Sequence, residues 1–229
     1  MDYIANGFME ALRLLFTGDI ETYTVVLTTI RISSLSITAS LIIGVPLGFL
    51  LGYYEFPGKR QLRTVVDTLL ALPTVVVGLV VYAFVTRQGP LGEWGLLFTI
   101  PGIAMAQTIL ITPIVISLTA TAIESLDRRL RTTLMTLGAR QGQLLLASVL
   151  EARHAIAVAA VTAYGRAISE VGISMMIGGN IKWYTRTITT AIALETAKGQ
   201  FALGMALGIV LLTLALLVNT MLVALKKRS

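Results

Sequence analysis

Arg166 and Glu170 stand one helical turn apart within a run of small and apolar residues, AIAVAAVTAYGRAISEVGISMMIGG, residues 155–179. An ionisable side chain in hydrocarbon costs at least about 2.5 to 3.5 kcal/mol on insertion scales, so each one is a candidate site. A spacing of four puts both on one face of a helix, where mutual pairing offsets the cost of burial. Two roles are open to such a pair: tying its span to a neighbour, or bordering a pore. Arg31 sits in a second apolar run, where it either snorkels to the membrane interface or offers a positive potential to an incoming anion. Asp67 follows Arg63 by four and reads as its partner. Other chemistry is absent from the sequence. His154 is the single histidine and there is no cysteine, so His154 has no second histidine for a metal site and no nucleophile beside it, and it is assigned to the membrane interface. The nearest approach to a phosphate-cradling Gly-x4-Gly-Lys-Ser/Thr loop is Gly58-Lys59, followed by Arg60, so the chain cannot hydrolyse ATP by that chemistry. No metal and no cofactor is called for.

The elements that must position these groups are membrane helices. Of the 229 residues, 55% are hydrophobic and 13% charged, against about 25% charged in ordinary soluble domains. Apolar runs of about 20 residues suffice to cross a bilayer, and five are expected: Val25 to Tyr53, Thr64 to Val85, Phe98 to Ala120, Ala155 to Ile177 and Phe201 to Leu225. The fold class is therefore all-α and polytopic, one transmembrane unit over residues 1–229. The start, MDYIANGFMEALRLLF, lacks the basic region and long apolar core of a cleavable signal. Ile4, Phe8, Ala11, Leu12 and Leu15 share one helix face, so residues 1–20 read either as an amphipathic segment on the membrane surface, in contact with lipid, or as a frayed end.

The basic residues set the orientation. Lys59, Arg60, Arg63, Arg128, Arg129, Arg131, Arg140, Arg153, Lys226, Lys227 and Arg228 flank alternate span ends, while Arg13, Arg87, Lys182, Arg186 and Lys198 flank the others; Arg31 and Arg166 complete the 18. Eleven against five places the N-terminus outside and the C-terminus in the cytoplasm. A net charge of +6 does not indicate a nucleic-acid partner, because the cations lie beside spans rather than on a soluble face with interleaved aromatics. Trp94, Trp183 and Tyr184 fall on the outer side, as interfacial aromatics should.

The longest cytoplasmic segment, residues 121–154, is itself periodic. Leu126, Leu130, Leu134, Leu137 and Leu144 recur near helical spacing, Arg128, Arg131, Arg140 and Gln143 fall largely elsewhere, and Gly138 interrupts the run. A glycine in mid-helix costs about 1 kcal/mol relative to alanine unless the backbone turns or something approaches closely. The segment reads as a helix-turn-helix projecting from the membrane, or as a surface helix on the lipid headgroups. Within the spans, Pro46, Pro73 and Pro113 remove backbone hydrogen bonds. Kinks at Pro73 and Gly78 suit a flexing gate and suit ordinary packing equally. Gly44, Gly48 and Gly52 repeat every four residues, the pattern of close helix contact, within the chain or at a dimer interface.

On these residues the chain resembles the integral membrane subunits of type I ABC importers. Their cytoplasmic loop carries Glu-Ala-Ala, three residues, Gly, nine residues, Ile, one residue, Leu-Pro. Aligned on Gly138, the opening positions here are Thr132, Thr133 and Leu134, the isoleucine position is Ser148, the leucine is Leu150 and the proline position is Glu151. ALPTVVVGLVVY, residues 71–82, is similar to the Leu-Pro-Pro-x-Val-x-Gly segment of oxyanion permeases, with Thr74 at the second proline. Residues 165–201, with Glu170 and Gly172, Gly179 to Ile181 and the run Thr185 to Ile192, resemble the molybdate and tungstate group, closest to tungstate-type permeases. The resemblance implies a homodimer around a pore, a cytoplasmic ATP-binding cassette subunit, an extracytoplasmic oxyanion-binding protein, and no enzymatic activity in the chain itself. It implies a coupling contact through Arg131, Leu134, Leu137, Gly138, Ala139 and Arg140. Pore or gate candidates are Arg31, Pro73, Gly78, Arg166 and Glu170. Two other classes stand beside it: a secondary transporter or channel, disfavoured by few intramembrane carboxylates and no visible inverted repeat, and a membrane anchor for a soluble enzyme.

Overall fold

The computed structural model describes Phe8, Met9, Arg13 and residues 20–127 and 133–226. Arg131, Arg128 and Arg129, and most of the N-terminal segment, lie outside the described residues. Among the described residues the fold is all-α, with no strand. In chain order the helices are α1 (Ile20–Tyr53), α2 (Lys59–Leu70), α3 (Thr74–Val85), α4 (Ile100–Glu124), α5 (Gln141–Ile168), α6 (Gly172–Gly178), α7 (Ile188–Ala197) and α8 (Phe201–Lys226), with a single 3₁₀ turn at Gly92–Trp94. Four of them, α1, α4, α5 and α8, are long and apolar enough to cross a membrane, and α2 with α3 makes a fifth candidate.

That second span departs from the single helix expected over Thr64 to Val85. It is bent by 97° between α2 and α3. Pro73 is the N-cap of α3, with φ −61° and ψ 130°; having no N–H to donate, and restricting Leu72 before it, it cannot continue α2. Pro46 and Pro113 behave otherwise, lying inside the continuous helices α1 and α4. The fourth span is also broken. The helix expected from Ala155 to Ile177 starts at Gln141, stops at Ile168 and resumes as α6 at Gly172. Hence residues 141–154, expected to be part of a cytoplasmic loop, are the first turns of a span about 42 Å long at 1.5 Å per residue.

The core explains why these helices stay together without a soluble interior. Ile32, Val81, Ile103, Ile111, Ala163, Ala167, Ile173 and Ile177 form one buried cluster drawn from α1, α3, α4, α5 and α6. Gly44, Gly48 and Gly52 line the α1–α4 contact: a Cβ at Gly48 would stand 2.6 Å from the Ile116 carbonyl oxygen, and one at Gly52 2.6 Å from that of Ala120. The stripe is therefore consumed by packing within the chain, which removes it as a dimer interface.

Candidate functional site

Both breaks meet at one place. A Cβ on Gly172, at the start of α6, would lie 3.2 Å from Thr74 Oγ1 at the start of α3, and one on Gly78 would lie 3.0 Å from Met176 Sδ and 3.6 Å from Ile173 Cγ1. Small residues thus let the two half-helices lie side by side. Pro73 and Gly78, chosen from sequence as flexible points, sit at this junction, Pro73 at the bend and Gly78 in the α3–α6 contact.

Glu170 occupies the second break. Its Oε2 accepts from Arg166 NH1 at 2.8 Å, and its Oε1 accepts the Ile173 backbone N–H at 3.1 Å. One carboxylate therefore pairs the last turn of α5 and caps the first turn of α6, where a negative charge meets the positive end of the helix dipole. The two partners differ in surroundings: the Glu170 side chain is 2% exposed, that of Arg166 37%. Arg166, half-buried, lies between exposed Thr162 on the same face of α5 and exposed Ser169, the residue that ends the helix. A polar row on a bilayer-crossing helix fits a wet surface and not acyl chains.

Arg31 is not brought into this set. It lies on an exposed stripe of α1 between Leu27 and Leu35, and no described residue pairs with it. Asp67 does pair with Arg63, at 3.3 Å, and it also accepts from Ser117 Oγ at 2.8 Å. Arg63 donates to Thr121 Oγ1 at 2.6 Å and lies 3.7 Å from Glu124. Together these contacts fasten α2 to the end of α4.

Around Gly138 the sequence expectation of a turn holds. Residues 133–136 are helical; the Ala139 N–H donates to the Leu134 oxygen and the Gly138 N–H to the Met135 oxygen, both at 3.0 Å, and Gly138 has φ +80°. This is the Schellman ending, with glycine at the left-handed position that side chains resist. Arg140 then opens α5, its backbone N–H bonded by Gln143 Oε1 at 2.8 Å, the reciprocal half of a capping box. Leu137 at the tip is 78% exposed and Met135 is exposed beside it; Leu134 and Ala139 are half-buried. His154 lies at this same end, within hydrogen-bonding reach of Arg153, and no group of three metal-ligating side chains occurs among the described residues.

Sequence reasoning missed α7 and the ion network beside it. Glu21 accepts from Lys182 at 2.6 Å and Arg186 at 2.8 Å, and Glu195, buried, pairs with Lys198 at 2.9 Å. Arg186 lies 3.7 Å from Glu195, so the first turn of α1, the 179–187 segment and α7 are held in one cluster. Thr189 Oγ1 donates to the Glu170 carbonyl at 2.7 Å and the Ile188 N–H donates to Thr29 Oγ1 at 2.8 Å. The available signal was Thr187 three residues before Thr190, a cap, with Gly199 closing the helix.

The comparisons with known proteins agree with one another. The family described as "Binding-protein-dependent transport system inner membrane component" matches residues 44–229. The chain is 46% identical over 219 residues to the tungstate uptake system permease protein TupB of Campylobacter jejuni, covering 96% of this chain and 92% of the relative. It is 36% identical over 227 residues to the protein of the same description from Peptoclostridium acidaminophilum, covering 99% and 100%. Among solved structures, a bacterial alginate ABC transporter in complex with an alginate pentasaccharide-bound periplasmic protein matches with a TM-score of 0.73 at 19% identity, over 95% of this chain and 82% of that one. At that identity the likeness speaks to the fold.

Proposed function

The chain belongs to the family of binding-protein-dependent transport system inner membrane components, and from that premise we propose that it is the membrane-spanning subunit of an ATP-driven importer that carries tungstate. The relatives that match nearly the whole chain are tungstate uptake permeases. ATP is hydrolysed on a separate ATP-binding cassette subunit, an extracytoplasmic binding protein supplies the anion, and two copies of the chain enclose the path. The N-terminus is outside and the Gly138 turn in the cytoplasm.

The observation that carries the reading of the path is the polar row of exposed Thr162, half-buried Arg166 and exposed Ser169 along the end of α5, reaching the paired breaks. A tetrahedral dianion needs N–H and O–H donors that attract it without trapping it. Arg166 gives one nitrogen to Glu170, which neutralises it in part, and its guanidinium, with five N–H donors, keeps others for water or a passing oxyanion. The Gly138 turn couples the path to ATP. Its exposed Leu137 and Met135 enter a groove on the ATPase, with Arg140 beside them and Arg131 at its rim, and α5 carries the displacement as a rigid lever from that turn to the break at Glu170.

Purification tests this division of labour. The chain coexpressed with the ATP-binding subunit should retain it and show ATP turnover, and the chain alone should show none. Turnover by the isolated, contaminant-free chain contradicts the reading.

A further inference from the structure

Gln107, in α4, is buried and connects three other helices. Its Oε1 accepts from Ser36 Oγ of α1 at 3.1 Å; its Nε2 donates to Ser174 Oγ of α6 at 3.3 Å and reaches the Ala167 carbonyl of α5 at 3.5 Å. Ala167 lies in the last turn of α5, and its carbonyl also accepts from the Glu170 backbone N–H at 3.3 Å, so the amide reaches the carbonyl on which the helix closes. Ser174 lies in the first turn of α6. A single amide therefore holds both sides of the break in the fourth span from behind, while Glu170 caps it from within.

We infer that Gln107 is a positioning residue for transport: it splints the break at 169–171, fixes the angle between α5 and α6, and so aims Arg166 and Glu170 along the path. The inference rests on the transport path placed at Arg166. A buried amide is worth conserving energetically only if all its groups are met, because an unmet one in hydrocarbon costs far more than at a surface. Here the α4 amide is met by both halves of one interrupted span, and α4 itself is anchored to α1 by Ser36, by Thr112 Oγ1 to Ser40 Oγ at 3.2 Å and by the glycine stripe. The frame is rigid and the break is the part that can flex.

The cysteine-free chain allows a direct test. Nitroxide labels at Leu150→Cys on α5 and Met175→Cys on α6, both exposed positions, report the break angle by pulsed dipolar spectroscopy in the assembled transporter in nanodiscs, with labelled subunits diluted in unlabelled ones. Gln107→Met keeps volume and removes both hydrogen-bonding functions; it should broaden the distance distribution and slow tungstate uptake about tenfold, at unchanged abundance and ATPase-subunit retention. Ser174→Ala, which cuts only the α6 tie, should broaden it as well, whereas Ser36→Ala, which leaves the α5 and α6 ties, should not. A narrow distribution in both Gln107→Met and Ser174→Ala, equal broadening in Ser36→Ala, or normal uptake despite broadening in Gln107→Met overturns the role. Normal uptake in Arg166→Gln instead overturns the path on which the inference rests, and leaves the spectroscopic result to judge the splint.

Discussion

Glu170 is the buried member of its pair and Arg166 the wetter one, which makes their substitutions unequal. Arg166→Met leaves a carboxylate in a closed, low-dielectric setting without its cation, a loss of about 3 kcal/mol or more. Glu170→Gln leaves the Ile173 N–H capped by the amide oxygen and the guanidinium with access to water, so it should cost about 1 kcal/mol. The double change should recover much of the Arg166→Met loss. Thermal unfolding of the four proteins in detergent checks the order, and additive losses would show that the residues do not interact. Their spacing has a clear meaning in the sequence, since four residues is about one turn, yet the asymmetry was hidden because it depends on α6 folding back over the carboxylate. Gly138 is a similar case. Its left-handed φ penalises any side chain by about 1–2 kcal/mol, with Asn the mildest, while no other part of the chain lies within 4 Å of an added Cβ. Gly138→Ala and Gly138→Leu should thus be equally stable as isolated chains. In the assembled transporter Gly138→Asn should stay active, whereas Gly138→Leu should lose the ATP-binding subunit or uncouple uptake from ATP turnover. Equal uptake in Ala and Leu variants would return this turn to the lipid surface.

At the scale of elements, the stripe at Gly44, Gly48 and Gly52 permits α1 to touch the α4 backbone. Gly48→Val should therefore lower the stability of the chain itself by several kcal/mol, since its Cβ would stand 2.6 Å from the Ile116 oxygen and neither backbone can yield. Resistance of the solubilised chain to heat or protease measures this; a stable chain that merely fails to dimerise would restore the stripe to an interface between copies. Periodicity located the long helices because a span of apolar residues has few alternatives. It did not reveal the two breaks. Pro73 reads as a kink in sequence, and contacts of α2 with α4, from Lys59, Arg63, Val66 and Asp67, hold α2 at 97° to α3. The second break contains no proline at all, and is set by Glu170 within it and by Gln107 from α4. Helix α7 escaped because ten residues are too few to register as a span and because Arg186, which lies beside its buried Glu195, is held by Glu21, far away in sequence.

For the whole molecule, the charge pattern and the apolar runs sufficed for an all-α membrane chain, and the motif departures at Thr132, Ser148 and Glu151 mattered less than the preserved glycine, which the turn requires on conformational grounds. Cargo identity was not legible from physical chemistry, since tungstate, molybdate and sulfate share a charge and a shape, and the assignment here follows the relatives. On the proposed function the molecule moves an anion at the expense of ATP, through two regions, the Gly138 turn and the break at Glu170, that lie at opposite ends of α5. The most direct measurement is uptake of labelled tungstate into proteoliposomes holding this chain with its ATP-binding subunit, with ATP on the subunit's side and loaded binding protein on the other. Accumulation that requires all three proteins and ATP, and that falls about tenfold or more when Arg166 becomes Gln, is the predicted result. Accumulation by the chain without the ATP-binding subunit, or no accumulation by the complete set, would contradict it.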